Sequence, residues 1–192
     1  MLVEYFEVLT ENGERTGIKK SRDEVLRDSD WHEVASVWLL SKNGEMLIQQ
    51  RSERKKVNPL KWTLFTGGHI EYGEDAEAAA IREVREEVGI KLEKQDLKYI
   101  KPIKIQYQIK SLNINVREIK HEYIVVLDEI DIKKVKLAID LEEVADVRLV
   151  PIIELEGMIK DKSIDCIIDI EAEEMMVEIK KIIVSDYVRC RD

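Results

Sequence analysis

The chain has 192 residues, 44% of them hydrophobic, and this length and composition favour one globular domain. Its formal net charge of −9 disfavours non-specific nucleic-acid binding, because that binding needs Lys and Arg to neutralise phosphates. No apolar run approaches the roughly 20 residues that cross a membrane, and the amino terminus lacks a secretory signal's basic region and apolar core, so we expect a cytoplasmic protein with no membrane partner. Cys166 and Cys190 are far apart and lack His at metal-ligand spacing, so we expect structural thiols rather than a disulfide or a zinc site.

The first thirty residues predict a β-hairpin followed by a short helix. Two strand-like segments, Glu4–Leu9 and Ile18–Lys20, flank a segment rich in turn-forming residues. Ser21 begins the pattern Ser-Arg-Asp-Glu, in which the Ser and Glu side chains can cap the first turn of a helix. We therefore expect residues 1–30 to form an amino-terminal hairpin extension.

A second hairpin is predicted to form the centre of the sheet. The β-rich run Glu33–Leu40 is followed by Asn43-Gly44, a preferred two-residue hairpin turn, and Glu45–Arg51 returns as the partner strand. The polar segment Arg51–Lys56 is then either a solvated connection or a cationic rim that meets a substrate phosphate. Arg51 is best placed for that contact because it ends the strand.

The next segment predicts a strand, a loop and a helix. Trp62–Phe65 is a short β-rich run. The glycines at 67, 68 and 73 would let the backbone turn where a side chain would clash. An Ala-rich run then favours a helix, and Gly89 supplies its stop.

Three glutamates of this predicted helix share one side of it. Glu83, Glu86 and Glu87 fall within an arc of roughly 100°, while Ile81, Val84 and Val88 lie nearly opposite. The apolar side would be buried and the acidic side would face solvent. Carboxylates this close would stay spread in water, raise a pKa or collect a cation. Oxygen ligands of this kind suit Mg²⁺ or Mn²⁺.

The remainder of the chain predicts three strands and two helices. Tyr99–Ile109 and His121–Leu127 are strand-like, as is Val144–Pro151. Ile152–Lys160 and approximately Glu171–Asp186 are helical.

The last helix carries apolar side chains at helical spacing, typical of core or dimer packing: Met175, Met176, Ile179, Ile182 and Ile183. We expect a single α/β domain over residues 1–192, with residues 152–192 as carboxy-terminal helices. Either this segment or the amino-terminal hairpin could support a homodimer.

The spacing around the acidic helix matches a known pattern. Gly68 is followed after five residues by Glu74, and after seven more by Arg-Glu-aliphatic-any-Glu-Glu-any-Gly-aliphatic, which ends at Ile90. This segment resembles the Nudix box with all nine specified positions filled, and a chance match at one window has a probability on the order of 10⁻⁹. The resemblance implies a Nudix-like mixed β-sheet sandwiched between helices.

The resemblance also implies roles for individual residues. The metal ligands would be Glu83, Glu86, Glu87 and the carbonyl of Gly68. Arg82 would anchor the carboxylates by ion pairing, and Glu74 would support it. Family members usually cleave a nucleoside diphosphate linked to another group, with water as the nucleophile.

The general base is left open by the sequence. Either Glu83 or a carboxylate elsewhere could accept the proton of the attacking water. Outside the helix the candidates are Glu118 and Glu122, which flank His121 at a predicted strand start. Candidate substrate-contacting residues lie at sheet and loop positions: Trp38, Arg51, His69, Tyr107 and Tyr123.

A narrower resemblance involves isopentenyl diphosphate isomerase, an enzyme with a Nudix fold. The similar segments are Trp31-His32-Glu33, Lys61-Trp62-Thr63, Gly67-Gly68-His69 and His121-Glu122. That enzyme uses a Cys before the Gly-His pair to move a proton, and the corresponding residue here is glycine. His32, His69 and Glu122 match three of its five metal-ligand positions, while the other two fall on Val25 and Lys120.

These observations predict a metal-dependent pyrophosphohydrolase that uses Mg²⁺ (or Mn²⁺) to cleave a nucleoside diphosphate-X or related diphosphate linkage by water attack. The expected partner is a small-molecule diphosphate, not a nucleic acid. The alternatives are an isomerase-like enzyme and a non-catalytic diphosphate-binding or sensor module.

Overall fold

The computed structural model describes residues 3–167 and 170–189. The strands within these ranges are β1 (Tyr5–Leu9), β2 (Arg15–Ser21), β3 (Trp31–Ser41), β4 (Glu45–Arg51), β5 (Trp62–Thr63), β6 (Thr66–His69), β7 (Lys98–Ile109), β8 (Ile114–Leu127) and β9 (Val144–Pro151). The helices are α1 (Arg22–Asp28), α2 (Ala76–Val88), α3 (Ile132–Ala138), α4 (Ile152–Lys160) and α5 (Ile170–Arg189), with a 3₁₀ turn at Lys94–Asp96. The expected mixed α/β class is confirmed.

The described residues form two compact units. The first combines the residues up to 38 with residues 66–125, and the second combines residues 39–65 with those from 126 onward. The prediction of one domain over 1–192 stays a prediction, and residues 1–2, 168–169 and 190–192 lie outside the described part.

In the first unit the predicted amino-terminal hairpin and helix are present. β1 pairs antiparallel with β2 and reaches β3 through the pair Leu9 and Trp31. Ser21 caps α1: its hydroxyl accepts from the Glu24 amide, and its own amide donates to the Glu24 carboxylate at 2.9 Å. Phe6, Val8 and Val25 form a buried cluster. The hairpin is therefore packed against α1.

The paired glycines lie in a strand rather than in the predicted turn. β6 pairs antiparallel with β3, placing Gly67 opposite Ser36 and Gly68 opposite Ala35. A Cβ atom on Gly67 would overlap the carbonyl oxygen of Ala35. Glycine is needed here because two backbones approach closely, whereas Gly73, at φ +86°, makes the turn that follows.

β8 is longer than predicted. It begins at Ile114, not His121, and pairs with both β7 and β3. Glu118 and Glu122 therefore lie within the strand rather than at its start, and both are buried, as is Lys120. Every second residue faces inward, but three of these positions are charged, so hydrophobic alternation did not reveal the strand.

The second unit is organised around β4. The last residues of β3 connect to it through the predicted turn, with the Gly44 amide donating to the Ser41 carbonyl at 3.0 Å. β4 pairs antiparallel with β5 and β9. The helix α3 was not predicted: it is short and Lys-rich, and Asp131 caps it by accepting from the amides of Lys133 and Lys134.

The carboxy-terminal helices match their predicted positions. Met175 and Ile179 of α5 are fully buried, which confirms core packing for these two residues. Burial raises the pKa of the Cys166 thiol to about 12, consistent with a structural cysteine. Cys190 and the side chain of Ile183 lie outside the described residues.

Among the described residues, no helix combines the length and apolar character needed to span a membrane.

Candidate metal-binding and catalytic site

The helix α2 has well-defined ends that set its orientation. The Asp75 side chain accepts from the amide of Ala78 at 2.8 Å, and Gly89 closes the other end in the left-handed conformation. Val84 and Val88 are fully buried, as predicted for the apolar side, whereas Ile81 is only partly buried. The acidic side chains then project along a ridge, which we call the carboxylate ridge: Glu83, Glu86 and Glu87.

Arg82 links this ridge to the preceding loop. Its Nε and Nη2 donate to the two carboxylate oxygens of Glu74 at 3.0 and 2.9 Å. Its Nη1 donates to Glu83 at 2.7 Å and to Glu86 at 3.2 Å. Although burial opposes it, the hydrogen bonds and charges of Glu74 and Glu83 raise the pKa of Arg82. These are the contacts that the predicted anchoring role requires.

The helical spacing predicted that the carboxylate ridge would face solvent, but only part of it does. The Glu86 side chain is 59% exposed, but that of Glu83 is 15% exposed and Glu87 is buried. The backbone amide of Gly67 donates to the Glu87 carboxylate at 3.2 Å. A Cβ on Gly68 would lie 2.5 Å from the nearer Glu83 oxygen. The glycines of β6 thus admit the carboxylates into a recess.

Burial and neighbouring charge shift the pKa of Glu83. Burial, followed by the charge of Glu87, raises the pKa of the Glu83 carboxyl to about 7, although Arg82 opposes the shift. This is one of the three outcomes expected for clustered carboxylates. The carboxylate oxygens of the ridge are the donor type that suits a hard divalent cation such as Mg²⁺ or Mn²⁺.

A second group of ligand-type side chains lies in the same unit. One ligand atom each from His32, His69 and Glu118 lies within 4.8 Å of the others, and we call this group the imidazole cluster. His32 Nδ1 donates to the Asp30 carbonyl at 3.2 Å. Its Nε2 is buried, has no hydrogen-bond partner among the described residues and lies 3.8 Å from Glu118 Oε1. Burial lowers the pKa of His32 despite that carboxylate, which favours the neutral form of the ring.

The cluster differs from the set suggested by the isomerase resemblance. That resemblance grouped Glu122 with the two histidines, but the structure places Glu118 with them. The buried Glu122 carboxylate instead accepts from the indole Nε1 of Trp38 at 2.6 Å. Glu118 and Glu122 are four positions apart and lie on the same face of β8, so alternation along the strand would have identified both but not which one meets the imidazoles.

The candidate substrate-contacting residues are found in different environments. Trp38 is fully buried and Tyr123 nearly so, whereas Tyr107 is 43% exposed and its hydroxyl lies 3.4 Å from Glu118 Oε1. The His69 ring stacks on Phe6, with 4.6 Å between ring centroids. Substrate contact by these residues stays a prediction.

The predicted cationic loop belongs to the second unit. Arg51 is half-buried, and its Nε donates to the Val57 carbonyl at 3.0 Å. Two further cations of the loop are ion-paired, Arg54 with Glu142 and Lys55 with Glu143. Much of its charge is therefore already neutralised within this unit.

Comparison with known proteins places the chain in a family. The family model described as NUDIX domain matches residues 30–166. The chain is 31% identical over 156 residues to the uncharacterized Nudix hydrolase lmo0368 of Listeria monocytogenes, which covers 81% of this chain and 85% of that protein. It is 42% identical over 95 residues to Nudix hydrolase 3 of Arabidopsis thaliana, covering 49% of this chain but only 12% of that protein.

A solved structure shows the same fold. The protein DR0079 of Deinococcus radiodurans superposes with a TM-score of 0.61 at 17% identity, covering 93% of this chain and 98% of that one. The predicted fold and enzyme class are thus confirmed at the level of the family. With its box complete from Gly68 to Ile90, the chain belongs to the Nudix hydrolase family.

Proposed function

We propose that this protein is a Mg²⁺- or Mn²⁺-dependent pyrophosphohydrolase that cleaves a nucleoside diphosphate-X or related diphosphate by water attack. The observation that carries the proposal is the network around Arg82, which gathers the carboxylates of Glu74, Glu83 and Glu86. A fold has no need of so many close acids for stability, because like charges repel.

The proposed metal ligands are Glu83, Glu86, Glu87 and the carbonyl oxygen of Gly68. When bound, the cation would neutralise negative charge on the phosphate oxygens and on the leaving group. The chain's own residues prepare the ligand set. Arg82 fixes the carboxylate orientations, and the Gly67 amide fixes Glu87.

The attacking water must lose a proton to a nearby base. The candidates are Glu83 on the ridge, and Glu118 and Glu122 on the inward face of β8. Glu118 is favoured over Glu122 by its neighbours: it lies beside the Tyr107 hydroxyl and the neutral His32 ring, whereas Glu122 already accepts a short hydrogen bond from Trp38. Comparing Glu118→Gln with Glu122→Gln for loss of the acidic limb of the pH–rate profile, where the rate rises as the base loses its proton, would separate them.

The proposal is tested with purified protein, Mg²⁺ and a panel of nucleoside diphosphates, triphosphates, sugar nucleotides and dinucleotides, with phosphate release as the measurement. Glu87→Gln is expected to lower turnover on the order of 10²-fold, about 3 kcal/mol in barrier height. Glu77→Gln is the matched control, since Glu77 lies on α2 away from the ridge and pairs with Lys94. Wild-type turnover in both Glu86→Gln and Glu87→Gln would contradict the proposal.

Two alternative functions can be tested with the same purified protein. Isomerase activity would convert isopentenyl diphosphate to its allylic isomer, and no product is expected because glycine at position 67 offers no acid–base group. A binding or sensor module would bind diphosphates without releasing phosphate.

We also propose a small-molecule substrate, no nucleic-acid partner, a cytoplasmic location and a homodimer. Size-exclusion chromatography with light scattering tests the dimer, and a monomer at micromolar concentration would contradict it.

A further inference from the structure

The amino-terminal hairpin holds the loop that leads into α2. This loop, residues 70–75, carries Glu74. The amide of Tyr72 donates to the Tyr5 carbonyl at 2.7 Å. The Lys19 ammonium lies over the Tyr5 ring at 4.4 Å and over the Tyr72 ring at 5.3 Å. The loop is therefore fixed from one side by β1 and β2.

Arg15 of β2 makes the most extensive of these contacts. Its Nε and Nη2 lie 3.0 and 2.9 Å from the same Glu33 carboxylate oxygen. Its Nη2 also donates to the backbone carbonyl of Glu74 at 3.1 Å. One guanidinium thus joins the hairpin, β3 and the loop before the carboxylate ridge.

The Glu33 carboxylate that orients Arg15 is itself held on its other side. Its second oxygen accepts from His121 Nε2 of β8 at 2.9 Å. Burial alone would raise the pKa of Glu33, but the hydrogen bond from His121 and the charge of Arg15 hold that pKa below its ordinary value. Glu33 therefore remains a carboxylate, and the Arg15 guanidinium is held by Glu33 and the Glu74 carbonyl, with Glu7 Oε2 at 3.8 Å from Nη1.

We propose that Arg15 is a positioning residue for the carboxylate ridge. The path is short: Arg15 fixes the Glu74 backbone, the Glu74 carboxylate accepts two hydrogen bonds from Arg82, and Arg82 holds Glu83 and Glu86. This inference rests on the proposed function, since it assumes that the ridge binds a divalent cation.

A purely structural role for Arg15 would have a different effect. The hairpin is already held by strand pairing and by the buried Phe6 cluster, and the Arg15 side chain is 41% exposed. Exposed ion pairs contribute little to stability. Removal of Arg15 should therefore change the geometry of the ridge more than the stability of the fold.

The test is titration of the full chain with Mn²⁺ alone, by calorimetry or electron paramagnetic resonance. Arg15→Gln is expected to weaken Mn²⁺ binding about tenfold, while thermal unfolding stays close to wild type. Arg15→Lys should be intermediate, because one ammonium cannot reach both Glu33 and the Glu74 carbonyl as the planar guanidinium does. The matched control is Arg22→Gln, which removes a similarly exposed Arg that pairs with Glu4 and should leave binding unchanged.

Each outcome of the Mn²⁺ titration either supports the role of Arg15 or overturns it. Wild-type Mn²⁺ affinity in folded Arg15→Gln overturns the inference and leaves the proposed function standing. If that variant does not fold, wild-type affinity in Arg15→Lys overturns it instead. Equal weakening by Arg22→Gln would show a general charge effect and also overturn it. Absence of Mn²⁺ binding in the wild-type chain overturns both the inference and the proposed function.

Discussion

The carboxylate ridge and the imidazole cluster both adjoin strand β6 but differ in chemistry: the ridge contacts the Gly67 amide, and the cluster includes His69. The ridge presents charged oxygens, held by Arg82 and by the amide of Gly67. The cluster presents neutral nitrogen in a dry environment, with the His32 ring stacked on Phe6. The first arrangement is typical of hard divalent cations, and the second uses burial to remove charge. The two regions thus differ in ligand type, although burial shifts both Glu83 and His32 towards their uncharged forms.

The largest effect is expected from a substitution in β6, the strand that adjoins both regions. Gly67→Ala should destabilise the protein by about 3 kcal/mol, because the added Cβ overlaps the β3 backbone. Gly68→Ala should retain most of the stability, since its Cβ meets the end of the flexible Glu83 side chain, but should lose at least about tenfold in turnover. Urea unfolding and phosphate release distinguish the two. Equal stability in both variants would refute this view of β6.

The second prediction tests whether the carboxylate ridge and the imidazole cluster are independent of each other. Arg82→Gln leaves Glu74, Glu83 and Glu86 without their shared cation, so turnover should fall on the order of 10²-fold. Stability should fall by about 2 kcal/mol. The ¹⁵N chemical shifts of His32 should stay unchanged, because Arg82 contacts the His69 carbonyl rather than the rings. A large shift of the His32 signals would show that the two regions are not independent.

The third prediction concerns the pH dependence of the metal-free protein. The pKa of Glu83 rises from 4.5 in the unfolded chain to about 7 in the fold, so the folded state binds the extra proton between these values. Its contribution to stability is fully present below about pH 4.5 and is lost as pH rises through about 7. The wild-type minus Glu83→Gln difference in unfolding free energy should therefore fall by about 3 kcal/mol over this range.

The pH dependence of metal binding provides an independent test of the raised Glu83 pKa. Mg²⁺ affinity should increase as pH rises through about 7, with proton release on binding. Calorimetry in two buffers of different ionisation enthalpy measures that release. A pH-independent affinity between pH 6 and 8 would contradict the assignment of Glu83 as a ligand.

The smallest expected effect belongs to the imidazole cluster. The pKa of His32 lies below its ordinary value in the fold, so the unfolded state binds protons first as pH falls. Stability should decrease below about pH 6.5, by at most about 1 kcal/mol per pH unit from this group. The His32→Gln variant should lack that component. A His32 ring that titrates at or above pH 6.5 by NMR would contradict the neutral cluster.

Local patterns accounted for much of the fold. The capping box at Ser21, the Asn43-Gly44 turn and the helix that ends at Gly89 all depend on neighbours within a few residues, so the sequence predicts them directly. The interior of β8 was partly missed because charged residues occupy its inward positions. Glu118 and Glu122 occupy inward positions because they face His32 and Trp38, which are distant in sequence.

The sequence by itself determined the family and the carboxylate ridge, because helical spacing places Glu83, Glu86 and Glu87 together whatever surrounds them. Only the tertiary structure decided which of these acids is exposed, which has a raised pKa, and that Glu118 rather than Glu122 joins the imidazoles. It also brought Arg15 to the loop before α2. Burial and charge–charge distances depend on residues far apart in the chain, and no local pattern records them.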